Sequence, residues 1–293
     1  MPLPSVTPFS AEFKEGLHEI RDGVARIREL PAKTDITEGT VSREALREYY
    51  AKFRDDEEDE KRDTETWNKI LRLMHVIGPE VDIDEAVTEM YASSVAGFYS
   101  LEEDVMVLVD GVGELDMSER LTLAHEYAHS LQDGSLAFRD YDDDDFENTE
   151  LGTTLSCVRE GDAEVTSYEY MDDEFGETWY GELSEPEEEF SDAEIDALIA
   201  EAEQRGEEES DLPGSFDGLS YFERGFYFNY YECYFFVYVV FDQDGWKGVD
   251  ALYKDPPTTT EQVLHPEKYF KREAPKHPKA IDLRSALDVG WEA

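Results

Sequence analysis

The stretch LTLAHEYAHSLQD, residues 121–133, carries two histidines four positions apart, with a glutamate directly after the first. Its apolar residues recur at helical spacing, and Asp116–Glu119 predicts a capping box just before it. We therefore predict an α-helix. Because successive residues lie about 100° apart around a helix axis, His125, Glu126 and His129 share one sector of its surface.

This arrangement suits a zinc hydrolase. Two imidazoles at positions i and i+4 can each present a nitrogen to one ion at ~2.0–2.1 Å, and the glutamate can reach a water bound to that ion. Zinc lowers the pKa of such a water to roughly 7, and a carboxylate can accept its proton during attack on a carbonyl. The alternative is an ordinary packed helix whose imidazoles hydrogen-bond to backbone groups.

A third metal ligand must come from another element. The stretch CVREGDAEVTSYE, residues 157–169, predicts a second helix in which Glu160 and Glu164 lie one turn apart on the same face. Asp162 points about 200° away from Glu160, so we interpret it as a cap or a structural acid. Gly161 leaves room for the two helices to approach each other closely.

The segments LAHEYAHSLQD, REGDAE and PPTTTEQVLHPEKY resemble the gluzincin branch of zinc metallopeptidases. They resemble more closely a poorly characterised prokaryotic family with an HExxHxLQD helix, an EGDA segment and a proline–threonine stretch that ends in HPxxY. The resemblance covers about residues 96–269. It implies a zincin-like α+β fold, predominantly helical, with a small twisted sheet beside the HExxH helix.

The resemblance implies a zinc-dependent peptidase. One zinc ion would be bound by His125, His129 and Glu160, with Glu126 as the general base. Glu164 would orient one of the ligand histidines. Two imidazoles and a carboxylate suit zinc, with manganese and cobalt as the alternatives. The substrate would be a peptide or a protein.

The resemblance also implies that VMVLV, residues 105–109, is the sheet edge along which an extended peptide would add as a strand. Such a hydrolase needs a hydrogen-bond donor for the developing oxyanion besides the metal. We predict His265 for this role, with Tyr269, Tyr227 and Tyr231 as the other candidates. The alternative is that His265 caps a turn and that the tyrosines belong to the core.

The composition is strongly acidic. Among 293 residues, 73 Asp and Glu face 26 Lys and Arg, which gives a net charge of −47 spread along the whole chain. Molar salt shortens the Debye length to roughly 3 Å and relieves such self-repulsion, so we interpret the charge as halophilic adaptation. The alternative is an acidic interaction protein. We expect no nucleic-acid binding, because phosphate recognition needs a clustered basic surface that the sequence does not contain.

Three further features bear on location. Cys157 and Cys233 are the only cysteines, and we expect no disulfide framework from them. Residues 1–16 contain neither a basic nor an apolar leader region, which favours the cytoplasm. The aromatic stretch at residues 221–241 is interrupted by charged residues, so we predict a buried core helix and no membrane span.

The rest of the chain is predicted to belong to the same domain, residues 1–293, with N-terminal helices at 1–60, a catalytic core at 61–175 and a helical part at 176–293. Amphipathic helices are predicted at 9–30, 42–53 and 67–78, and a hairpin at 95–111. The third helix is expected to pack through Trp67, Ile70, Leu71, Met74 and Ile77. A catalytically silent, zinc-stabilised binding protein of this fold is a further alternative.

Overall fold

The computed structural model describes residues 3–55, 58–79, 81–83, 88, 95–110, 115–136, 149–176, 179, 228–274 and 276. These residues are mostly helical and contain one small mixed sheet, which confirms the predicted α+β class. The strands are β1 (Thr7–Pro8), β2 (Thr37–Val41), β3 (Gly97–Ser100) and β4 (Val105–Val109). The helices are α1 (Ala11–Arg28), α2 (Arg43–Asp55), α3 (Glu58–Leu73), α4 (Met117–Ser135), α5 (Thr149–Phe175), α6 (Cys233–Leu252), α7 (Thr260–Leu264) and α8 (Pro266–Phe270), and a π-helical turn (Phe228–Glu232) precedes α6.

Helix α4 is the HExxH helix, and it begins as predicted. The Asp116 carboxylate accepts from the backbone N–H of Glu119 at 2.9 Å, and the Glu119 carboxylate accepts from the backbone N–H of Asp116 at 2.8 Å. This reciprocal capping box satisfies two N–H groups that the first helical turn cannot pair internally. The apolar face of α4 packs against α1 and α5, with Leu123, Tyr127 and Leu131 fully buried.

The strands form one sheet in the order β1–β2–β4–β3, in which β2 and β4 are parallel and the other pairs are antiparallel. The predicted hairpin is confirmed as β3–β4, but β4 lies between β2 and β3. The prediction that Val105–Val109 forms the sheet edge was therefore wrong, and among the described residues the edge on this side is β3. All five residues of β4 are buried, because alternate side chains pack toward α2 and toward α1 and α4. A strand covered on both faces is expected to be continuously apolar.

Helix α5 lies between two parts of the core. On one side it packs against α1 and α4, through residues that include Ala163 and Met171. On the other it packs against α6, where Val158 and Val165 contact the cluster around Phe236. A helix with neighbours on opposite sides needs apolar residues around most of its circumference. Packing on both sides therefore fixes the part of α5 that carries Glu160 and Glu164.

The contact between α5 and α6 corrects two predictions. A Cβ atom on Gly161 would lie 2.3 Å from the carbonyl oxygen of Cys233 and 2.6 Å from Cγ2 of Val237. The small residue therefore permits the close approach of α6, and the expectation that it serves the approach of α4 was wrong. One turn earlier, Cys157 forms a disulfide with Cys233, so the two cysteines are paired, contrary to prediction.

The described part of the aromatic stretch is helical, as predicted, but only one of its faces is buried, and Tyr231 and Phe235 are exposed. Residues 221–227, including Tyr227, lie outside the described residues. Phe236, Val237 and Val240 of α6 are buried, and Gly245, with a φ of 60°, kinks the helix. Within the part of the chain that the structure describes, no helix has the length and apolarity required to cross a bilayer.

The amphipathic N-terminal helices are confirmed as α1 and α2, where the side chains of Ser10 and Ser42 accept hydrogen bonds from N–H groups three residues later. The third helix, α3, differs from its prediction. Leu71 is buried and Ile77 is buried beyond the helix end, but the other three residues that were expected to pack inward are exposed: Trp67, Ile70 and Met74.

Candidate metal and catalytic site

The structure brings the three predicted metal ligands together. Nε2 of His125 lies 3.1 Å from Nε2 of His129 and 3.3 Å from Oε2 of Glu160, and Nε2 of His129 lies 3.5 Å from the same oxygen. Zinc in tetrahedral coordination, with bonds of ~2.0–2.1 Å, separates its ligand atoms by roughly 3.4 Å. The three residues therefore fit one zinc ion in spacing and in chemical type.

The second ring nitrogen of His125 faces Glu164. Nδ1 of His125 lies 3.3 Å from Oε1 of Glu164, and both side chains are buried. A proton on Nδ1 donates to this carboxylate, and in the neutral ring that a metal ligand requires this leaves the lone pair of Nε2 directed at the ligand cluster. Glu164 thus has the contact that an orienting residue for His125 requires.

The second ring nitrogen of His129 has a neutral partner. Nδ1 of His129 lies 2.9 Å from Oε1 of Gln132, which is buried on the same helix. Sequence reasoning did not single out Gln132. Its position three residues after the histidine was the available signal, because side chains at i and i+3 are neighbours on a helix surface.

Glu126, the predicted base, points toward the edge strand. Its Oε2 accepts a hydrogen bond of 2.8 Å from the backbone N–H of Tyr99 on β3. Burial raises the pKa of Glu126 above its usual range, although His129 and His125 oppose the shift. A carboxylate with a raised pKa is a better proton acceptor near neutral pH.

The ligand side chains form a mutually stabilised charge cluster. Burial opposes the protonation of His125, but hydrogen bonds to Glu160 and Glu164 outweigh it and hold the pKa of His125 well above its usual value. Burial likewise opposes the ionisation of Glu160, but His129 and His125 hold its pKa well below the usual range. Both shifts favour an ionised Glu160.

A cleft opens between the edge of the sheet and the ligand cluster. It runs along the start of β3 and between α4 and α5. Its walls are formed by Val95, Ala96, Gly97, Leu121, Thr122, His125, Glu126, Glu164, Ser167 and Tyr230. The carbonyl of Ala96 accepts a ladder hydrogen bond from the N–H of Val109. Because backbone groups alternate in direction along a strand, those of Gly97 and Tyr99 point to the side of β3 that faces away from β4.

Tyr230, in the π-helical turn, was not predicted as a site residue. It lines the cleft, and its ring centre lies 6.1 Å from that of His125. The neighbouring candidate Tyr231 has 63% of its surface exposed. The tyrosine of this segment that reaches the ligand cluster is therefore Tyr230.

The structure does not bring His265 to the cleft. This histidine lies at the junction of α7 and α8, half exposed, with Nε2 3.9 Å from Oε1 of Glu261, and it is not among the described residues that line the cleft. Tyr269 is a core residue whose hydroxyl donates to the carbonyl of Asp255 at 2.7 Å. For His265, the alternative reading as a turn residue fits the structure better.

No family model matches the chain, and comparisons with curated proteins and with solved structures give no match. Function can still be argued from this site, because the same fold hosts many activities and the chemistry resides in particular side chains.

Proposed function

We propose that the protein is a zinc-dependent peptidase. The observation that carries the proposal is the convergence of His125, His129 and Glu160 next to Glu126, at a cleft that follows a sheet edge. His125, His129 and Glu160 would hold the ion, which would polarise the scissile carbonyl and lower the pKa of a nearby water. A purely structural zinc site has no use for a general base such as Glu126 beside its ligands.

Glu126 acts as the general base. It takes a proton from the attacking water and passes it to the leaving amine, and the raised pKa of its carboxyl group suits both transfers. The N–H of Tyr99 holds Oε2, which leaves Oε1 for the water. The strand thereby fixes the direction in which the base acts.

The substrate binds as an extended strand along β3. Gly97 presents its backbone N–H and carbonyl on the outer side of this strand, within the cleft. Main-chain hydrogen bonds of this kind recognise a peptide regardless of its side chains, and pockets on either side add preference. The small and apolar residues Ala96, Leu121 and Thr122 favour a compact apolar side chain next to the scissile bond.

Tyr230 supplies the second hydrogen bond to the oxyanion. Its ring lines the cleft, and the ring centre lies 6.1 Å from that of His125. A phenolic hydroxyl at such a position donates to negative charge that develops in the transition state, where it stabilises the reaction most.

The protein works in concentrated salt, where its net charge of −47 is screened. The predicted cytoplasmic location fits less well, because disulfides such as Cys157–Cys233 persist mainly in oxidising compartments.

The proposal is tested by metal content and peptide cleavage at molar KCl. Wild type, His129→Ala, Glu160→Ala and Glu126→Gln are equilibrated with zinc, desalted and analysed by elemental mass spectrometry, with His18→Ala as a histidine control outside the site. We expect about one zinc per chain in wild type, Glu126→Gln and His18→Ala, and loss in the two ligand variants. A peptide library should be cleaved by wild type and His18→Ala only.

Two results would reject the proposal. If the wild type cannot be loaded with zinc, the acidic interaction protein becomes the better interpretation. If zinc binds as expected but no peptide is cleaved, or if Glu126→Gln cleaves as fast as wild type, a silent zinc-stabilised binding protein is favoured.

A further inference from the structure

The Gln132 side chain stands between a ligand histidine and a buried charge. Its Oε1 lies 2.9 Å from Nδ1 of His129. Its Nε2 lies 2.9 Å from the carbonyl oxygen of Arg159 and 3.2 Å from Oδ2 of Asp162. Every polar atom of this amide therefore has a partner.

The chemistry of these partners fixes the orientation of the amide. A backbone carbonyl and a carboxylate only accept hydrogen bonds, so the NH₂ group must face Arg159 and Asp162. The carbonyl oxygen then faces His129 and can only accept. Nδ1 of His129 must consequently carry a proton, and in the neutral ring that a metal ligand requires this directs the lone pair of Nε2 toward His125 and Glu160.

The Asp162 carboxyl group that faces the amide is itself held in place by two further partners. Asp162 has no exposed surface and accepts from Nε of Arg28 at 2.7 Å and from the hydroxyl of Tyr253 at 2.8 Å. Arg28, the last residue of α1, is itself 1% exposed. The oxygen that accepts from Gln132 is therefore fixed in position from α1 and from the end of α6.

We infer that Arg28, Asp162 and Gln132 form a positioning chain that sets the tautomer and the ring orientation of His129. The inference rests on the proposed metal site and extends it to a helix, α1, that contributes no ligand. The two histidines are then oriented differently: His125 by the carboxyl group of Glu164, and His129 by an amide whose direction is imposed from α1 and α5.

This role differs from simple core packing in one testable respect. Tyr253 donates to the same Oδ2 of Asp162 as Gln132 does, but it reaches this oxygen from the end of α6, whereas Gln132 lies on the helix that carries His129. Tyr253→Phe therefore perturbs the buried cluster, while the link from Asp162 through Gln132 to His129 stays intact. It is the matched control for Gln132→Met, which keeps the side-chain length and removes the link.

The experiment has two measurements. In chelator-stripped wild-type protein labelled with ¹⁵N-histidine, long-range ¹⁵N–¹H correlation spectra should show His129 as the Nδ1–H tautomer. Zinc affinity, measured by competition with a chromogenic chelator, should fall about 10- to 100-fold in Gln132→Met. Tyr253→Phe should stay within about threefold of wild type, since only indirect effects reach His129.

An Nε2–H tautomer in the wild type would overturn the inference, as would equal zinc affinity in Gln132→Met and Tyr253→Phe. The tautomer is measured in zinc-free wild-type protein, so this result does not depend on zinc binding or on whether any variant folds. If the wild type shows the Nδ1–H tautomer and binds no zinc, the proposed function fails while the positioning chain stands.

Discussion

The backbone N–H of Tyr99 donates to Oε2 of Glu126 at 2.8 Å, so the strand that forms the sheet edge also holds the proposed base. The side chain of Tyr99 is anchored in turn, because its hydroxyl lies 2.9 Å from Oδ1 of Asp104 and 3.0 Å from Oδ2 of Asp133. Lys33 donates to both carboxylates and to this hydroxyl. The edge strand and the last turn of α4 are thus joined around one ammonium group.

Replacing this ammonium should loosen both elements. In Lys33→Met, Asp104 and Asp133 lose their shared cation and repel each other, and we expect a fall in melting temperature of about 2–5 °C. The control is Arg26→Met, whose exposed pairs with Asp173 and Glu174 should contribute less than about 1 °C. Calorimetry in one salt concentration compares them, and equal melting temperatures in the two variants would contradict the expectation.

The contact at Gly161 predicts a stability loss from a single methyl group. In Gly161→Ala the new Cβ would meet the carbonyl of Cys233 at 2.3 Å, so α5 and α6 must separate, and we expect the free energy of unfolding to fall by about 2 kcal/mol. Gly134→Ala in α4 meets nothing within 4 Å and should gain up to ~1 kcal/mol from helix propensity. Denaturant titration measures both; a gain in both variants would show that α6 does not approach α5 so closely.

The HExxH helix could be predicted because its signals are local. The capping box and the i, i+4 pair lie within one short segment, and helix geometry alone brings His125 and His129 together. Helix geometry also predicted that Glu160 and Asp162 point in different directions. Glu160 does face the ligand histidines, and Asp162 faces the buried Arg28. Sequence periodicity gives the direction of a side chain once the element is known.

The errors concern contacts between distant segments. Strand order is a tertiary property, although the unbroken apolar run at Val105–Val109 is typical of an interior strand. Tyr230 was missed for another reason. The π-helical turn at Phe228–Glu232 has more residues per turn than an α-helix, so α-helical spacing does not identify Tyr230 as the tyrosine that faces the cleft. Nothing local links Cys157 to Cys233, 76 residues away.

The disulfide should contribute substantially to stability. Closing a loop of 76 residues restricts the unfolded chain, and the chain-entropy relation gives about 4.5 kcal/mol. We expect non-reducing peptide mapping to recover the linked Cys157 and Cys233 peptides, and dithiothreitol to lower the melting temperature of wild type. The double variant Cys157→Ala with Cys233→Ala should melt at the lower temperature with or without reductant. Two free thiols in protein purified under oxidising conditions would contradict the pairing.

The net charge of −47 predicts a strong dependence of stability on salt. Raising KCl from 0.1 M to 1 M shortens the Debye length from about 10 Å to about 3 Å, which weakens repulsion among the exposed carboxylates. We expect the melting temperature to rise by more than about 10 °C, and sucrose at equal osmolality, which does not screen charge, to give a much smaller rise. Equal rises in both solutes would point to solute exclusion in place of charge screening.

The adjacent tyrosines of the π-helical turn provide a matched test of the oxyanion donor. Tyr230 lines the cleft beside His125, whereas Tyr231 is 63% exposed. Tyr230→Phe and Tyr231→Phe therefore remove the same hydroxyl group from a cleft position and from an exposed position. Removing an oxyanion donor costs about 10²-fold or more in kcat. We expect this loss in Tyr230→Phe with little change in KM and with zinc content unchanged, because the donor acts in the transition state and not on the bound substrate. Tyr231→Phe should retain wild-type kcat. If Tyr231→Phe loses activity while Tyr230→Phe does not, Tyr231 is the donor, and the substrate contacts the side of the turn that carries Tyr231.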